Sequence, residues 1–124
     1  MFNIELRSGP RIDVVGRKHT ISYANDGSLP NPLEATYAAL AGCAGVYAKK
    51  ACRELGIDDT GIGIGLKVVA RPEQPLMPAR LVTTLKFPER FTPEQRRTVI
   101  AAIEKCAVKA LIQAGAQIEF SVGE

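Results

Sequence analysis

With 124 residues and a hydrophobic content of 46%, the chain has the size of one globular domain, able to bury roughly two-thirds of its unfolded surface. Sixteen Lys and Arg against thirteen Asp and Glu leave a net charge of +3, without the larger, gathered excess of a DNA-binding stripe. Three cysteines (Cys43, Cys52, Cys106) and one histidine stand in no C-x-x-C or H-x-x-x-H spacing, so no metal and no cofactor is expected. An odd cysteine count argues against a fully disulfide-stapled scaffold, and a Ser-His-Asp triad would have to use His19. The chemistry left open is that of thiols.

Met1-Phe2-Asn3-Ile4-Glu5-Leu6-Arg7 lacks the basic start and apolar run of a secretory leader. The longest uncharged stretch, Ala35 to Ala48, has 14 residues, short of the ~20 that span a bilayer. A cytoplasmic, reducing location with free thiols is the expectation, with no membrane partner.

Three short β-prone runs come first: Phe2 to Leu6, Ile12 to Val15 and His19 to Tyr23. Ser8-Gly9-Pro10 and Gly16-Arg17 separate them, which reads as a meander. After a loop at Asn25 to Pro30, Asn31 suits a helix cap, Pro32 the first helical position and Glu34 the third. The helix runs to Leu55, with Gly56 as its stop. Its first half carries no charge on any face, so it is expected to be buried all round. Lys49, Lys50, Arg53 and Glu54 make the second half amphipathic.

Two strands follow, Gly61 to Ala70 and Arg80 to Phe87, with the proline-rich Arg71 to Pro78 as an exposed loop between them. The glycines of Gly61-Ile62-Gly63-Ile64-Gly65 read as strand glycines, because no helix follows to make a phosphate site. Thr92-Pro93-Glu94-Gln95 repeats the helix-start grammar. One helix is predicted from there to Ala114, stopped by Gly115, with Arg96 and Arg97 on its solvated face. A last strand, Ala116 to Val122, completes the order β-β-β-α-β-β-α-β, an α+β fold over 1–124 as a single domain with two helices packed on one six-stranded sheet. A fully apolar helix needs more cover than that sheet and a second helix supply, so a homodimer is predicted. With no clustered aromatic platforms among the basic residues, a nucleic-acid partner is not expected.

Cys43 and Cys106 each fall on the apolar surface of a helix. If the helices pack together, the sulfurs approach disulfide reach, which requires Cα atoms ~4.4–6.8 Å apart. The same positions suit cysteine as a small buried hydrophobe, and spacing alone leaves both readings open. Cys52, nine residues past Cys43, falls on the opposite side of the helix and reads as structural.

Leu29-Pro30-Asn31-Pro32-Leu33-Glu34-Ala35-Thr36-Tyr37-Ala38-Ala39-Leu40-Ala41-Gly42-Cys43 resembles the helix-start and cysteine motif of the OsmC/Ohr family. Cys106-Ala107-Val108 stands where that family carries a C-P-V tripeptide, with alanine in place of the proline. The resemblance implies a thiol peroxidase that reduces organic hydroperoxides, in an intertwined homodimer with active sites at the interface. It implies Cys43 as the attacking thiolate, Cys106 as the resolving cysteine, and a dithiol reductant that resets the disulfide. It also implies an activating arginine from the N-terminal strands, matched by Arg11 or, second, Arg17, and a supporting glutamate, matched by Glu34. Glu34 doubles as the partner of the Asn31 cap. A catalytically silent relative, binding a small apolar ligand or partner at a dimer pocket, is the alternative.

Overall fold

The computed structural model describes residues 1–123 and divides into two compact units, Met1–Ala38 and Ala39–Glu124. In the first, β1 (Ile12–Val15) and β2 (Thr20–Tyr23) form an antiparallel hairpin with Ile12 opposite Tyr23 and Val15 opposite Thr20. The turn closes with the Gly16 amide donating to the His19 carbonyl at 2.8 Å, and His19 is exposed on it.

The strand predicted at Phe2 to Leu6 is reduced to a single bridge, Asn3 opposite Val15. Phe2, Ile4 and Leu6 all stay exposed. Alternation makes a strand only where one face has something to bury against, and this run has none.

At the start of α1 (Pro32–Leu55) the Asn31 Oδ1 accepts from the Glu34 amide at 2.9 Å, as the cap grammar predicts. The helix ends at Gly56, whose φ of 68° is the left-handed conformation that glycine adopts without steric cost. The helix is not buried all round. Leu40, Ala44, Ala48, Ala51 and Cys52 make one buried stripe, while Ala38, Ala39, Gly42 and Val46 stay open to solvent. A helix without charge can be buried on every side but is covered only where neighbours exist. Among the described residues no helix is long and apolar enough to cross a membrane.

In the second unit, β3 (Gly63–Arg71) and β4 (Gln74–Lys86) form a long antiparallel hairpin. The proline-rich segment read as a loop is therefore mostly strand. The register runs evenly from Gly63 opposite Lys86 to Val69 opposite Arg80, then slips twice, so that Ala70 faces Pro78 and Arg71 faces Gln74. Those irregularities absorb the prolines, since a bulge spares the ladder the amide that proline lacks. The six-stranded sheet is not formed: the described residues hold two separate two-stranded sheets.

The second predicted helix is two. In α2 (Pro93–Glu104) the Thr92 hydroxyl accepts from the Gln95 amide at 3.1 Å, and the Gln95 side chain accepts from the Thr92 amide at 3.0 Å, a complete capping box. The helix stops at Lys105, and Cys106 turns extended at φ −56°, ψ 130° before α3 (Ala107–Ala114) begins. The predicted last strand, Ala116 to Val122, takes no regular structure. Ile118, Phe120 and Val122 are 78%, 95% and 99% exposed, because no sheet edge among the described residues receives them.

The core joins Ala44, Ala48, Ala51 and Cys52 of α1 to Val99 and Ile103 of α2 and to Phe91, with Ile62, Ile64, Leu85 and Phe87 against it. Arg96, predicted to be solvated, is half-buried instead. Its Nε and Nη2 donate to the carbonyls of Phe91 and Pro88 at 3.1 and 3.2 Å, and its guanidinium lies over the Phe87 ring. A guanidinium can satisfy its donors while its plane covers an aromatic face, which a solvated lysine would not do as well.

Candidate active site

Cys43 stands in α1 next to Ala44 of the buried stripe, and Cys106 stands where α2 breaks. Cys43 is half-buried, and Cys106, at the break, is 2% exposed. Each of the two thiols influences the ionisation of the other, and all three cysteines are free thiols. Cys52 is fully buried in the core cluster with Ala44, Ala48 and Ala51. Burial, then the charges of Asp59 and Asp58, hold its thiol above the usual cysteine range and make it inert.

The two partners differ in electrostatics. Burial and the Cys106 side chain push the Cys43 thiol up, only partly opposed by the amides of Val108 and Ala107. Burial also works against the Cys106 thiolate. There, however, the Cys43 thiol donates to it, the Lys109 and Val108 amides point at it, and the Lys109 charge lies nearby, so Cys106 falls below the usual range. Cys106 is the N-cap of α3 but makes no side-chain cap hydrogen bond of ordinary geometry. The amides act on the sulfur as the positive end of a helix dipole.

Cys106 also lines an open groove of about 900 Å³. Leu40 and Ala44 of α1, Leu81, Val82 and Leu85 of β4, and Ile100, Ile103 and Ile112 supply apolar walls, while Arg71, Arg80, Glu104 and Lys109 supply charge. Such a mixture admits an apolar molecule and orients its polar end.

Arg11 and Glu34 belong to the other unit. Arg11 Nε donates to Asp13 Oδ1 at 2.8 Å and Nη2 to Ser22 Oγ at 3.2 Å, while Ser22 Oγ donates to Asp13 at 2.6 Å. The Ser22 hydroxyl and then the Arg11 guanidinium hold the Asp13 carboxyl below its ordinary value. This is an exposed network on the hairpin, and Arg17 is exposed as well. Glu34 is exposed at the start of α1. Among the described residues no group of three or more His, Cys, Asp and Glu side chains gathers in the manner of a metal site.

Sequence reasoning missed the break at Cys106 and, with it, Lys109. Glu104-Lys105-Cys106-Ala107 contains neither proline nor glycine, so nothing local announces a stop. The signal lay in the tripeptide. A proline after the cysteine is a residue at the first position of a helix, so C-P-V marks a helix start immediately after its sulfur. Ala107 occupies that position here, and alanine, the best helix former, keeps the start without the proline.

A family model described as OsmC-like protein matches residues 25–121. Among curated proteins none matches. A solved structure from Psychrobacter arcticus, described as an osmotic stress induced and detoxification response protein, is similar with a TM-score of 0.71 at 14% identity, over 88% of this chain and 85% of that one. An OsmC like protein from Mycoplasma pneumoniae is similar with a TM-score of 0.72 at 10% identity, over 93% and 87%. A hypothetical protein from Aquifex aeolicus gives 0.69 at 21% identity, again over 93% and 87%. These likenesses show a shared fold, and with the family match along most of its length the chain belongs to the OsmC-like family.

Proposed function

We propose that the protein is a thiol-dependent peroxidase that reduces organic hydroperoxides through Cys43 and Cys106. The observation that carries this reading is the pairing of two free thiols at the start of α3, one of them on the wall of the apolar groove. The Cys43 thiolate attacks the terminal oxygen of the hydroperoxide. The O–O bond breaks, the alkoxide leaves and takes a proton to become an alcohol, and Cys43 becomes a sulfenic acid. The Cys106 thiolate then attacks the Cys43 sulfur, expelling hydroxide, which is protonated to water, and forming the Cys43–Cys106 disulfide. A dithiol reductant returns both thiols. An apolar groove favours an alkyl or lipid hydroperoxide over the small, polar hydrogen peroxide.

Arg11, or else Arg17, supplies the cation that activates Cys43 in this reading, with Glu34 holding it. The exposed apolar side of α1, with Val46 at 64% exposure, and the bare tail of Ile118, Phe120 and Val122 are surfaces that a second copy would cover. Light scattering on a size-exclusion column should therefore return twice the 13.3 kDa chain mass at low micromolar concentration. A stable monomer there overturns the dimer. A reducing, cytoplasmic setting fits a resting dithiol.

The function is tested by giving the reduced protein a stoichiometric amount of cumene hydroperoxide and mapping the products by mass spectrometry. The expected product has lost two hydrogens, localised to a crosslink between the Cys43 and Cys106 peptides. An unoxidised protein would instead favour a catalytically silent dimer that uses the groove to bind a small apolar ligand.

A further inference from the structure

The break between α2 and α3 leaves carbonyls at the end of α2 without helical partners. One of them, that of Glu104, accepts from Lys109 Nζ at 3.2 Å. Lys109 lies in the first turn of α3, half-buried, and lines the groove together with Cys106. Its ammonium thus bridges backward over the very residue at which the chain changes direction. An ammonium has three donors, so one bond to Glu104 leaves charge and donors facing the groove. A cation at the end of α2 is favourable in its own right, which accounts for its being held there.

We propose that Lys109 is a positioning residue for Cys106: it clips the α2–α3 break through the Glu104 carbonyl and holds its charge at the groove that Cys106 lines, favouring the form of Cys106 that closes the disulfide. The closing step rests on the reading of Cys106 as the resolving cysteine. The charge arrangement does not. Burial opposes a thiolate at this site, and the Cys43 thiol, the α3 amides and Lys109 together overcome it. Glu104 lines the same groove from α2 and opposes the thiolate if its carboxylate turns inward, whereas Arg71 and Arg80 from the β3–β4 hairpin support it from exposed positions where water screens them. Lys109 is the half-buried cation of the set and is tied by a hydrogen bond.

The test needs no hydroperoxide. Reduced protein is alkylated with iodoacetamide across a pH series, and the rate at Cys106 is followed on its peptide. Lys109→Met should shift the Cys106 profile to higher pH and slow alkylation at neutral pH about three- to tenfold. Lys109→Arg, which keeps the charge, should restore most of the rate. An unchanged profile in Lys109→Met overturns the proposal, and so does an equal slowing in Lys109→Arg, which would mean that lysine acts by shape alone. In a hydroperoxide pulse, trapping with dimedone should show sulfenic acid at Cys43 persisting longer in Lys109→Met than in wild type. Failure of the peroxidase reading would appear separately, as no oxidation of the wild-type protein at all.

Discussion

Cys43→Ser should lose hydroperoxide turnover by about three orders of magnitude or more, because Cys43 is the attacking thiol of the proposed cycle and Cys106, 2% exposed, is the resolving one. Cys106→Ser should behave differently. It keeps the attack for a single turnover and then stops at a Cys43 sulfenic acid, which excess hydroperoxide drives on to sulfinic acid. Stopped-flow consumption of cumene hydroperoxide, with the oxidised peptides identified afterwards, separates the two cases. A Cys43→Ser protein that still turns over would end the reading in which Cys43 attacks. The pH dependence follows with a definite sign. Burial and the Cys106 partner push the Cys43 thiol up, and only its thiolate attacks, so the single-turnover rate should climb with pH, about tenfold per unit, through the neutral range. A rate already flat near neutrality would mean that a cation absent from the Ala39–Glu124 unit, such as Arg11, lowers Cys43 in the working assembly.

The largest loss of stability is expected at Phe91. Its side chain is 3% exposed within the core cluster, and its ring centroid stands 5.4 Å from that of Phe87. The Arg90 guanidinium lies over the Phe91 ring, 5.2 Å from its centroid, and Arg96 Nε donates to the Phe91 carbonyl. Phe91→Ala removes the one buried aromatic ring of the core cluster that joins α1 to α2. The cost should be about 3–5 kcal/mol, a sizeable part of the ~5–15 kcal/mol that holds a domain of ordinary stability together. Urea unfolding should show this as a lower midpoint at an unchanged slope. A loss below about 1 kcal/mol would mean that the ring contributes little and that the cluster closes over the gap without it.

Several elements of the fold can be read locally. Asn31-Pro32 and Thr92-Pro93-Glu94-Gln95 start helices because each supplies its own acceptor for an unpaired amide within three residues, and Gly56 and Gly115 end α1 and α3 because the chain there takes a positive φ. The separation of Cys52 from Cys43 is equally local, a matter of helical angle. Of the cysteine pair, Cys43 sits at a helix position that its neighbours set, whereas Cys106 falls at a break that no local residue announces.

Other features follow from no local rule. The alternation at Phe2 to Leu6 and at Ala116 to Val122 is genuine, yet a strand needs a partner edge, and the described residues offer one of these runs a single bridge and the other nothing. The prolines of the β3–β4 connection looked prohibitive until two register slips made room for them. Arg96 reads as a surface charge in sequence, and only the carbonyls of Pro88 and Phe91 brought to it by the preceding turn make it a structural residue.

The sequence by itself determined that this is an α+β chain with three thiols divided two and one, since caps, stops and helical periodicity act over a few residues and need no context. Only the tertiary structure decided which of the paired thiols is the more readily ionised. That depends on the break at Cys106, on the α3 amides and Lys109 converging there, and on a Cys43 thiol arriving from a helix far away in sequence. Charge at a buried sulfur is settled by everything within a few ångströms of it, and those neighbours are assembled by the fold rather than by spacing along the chain.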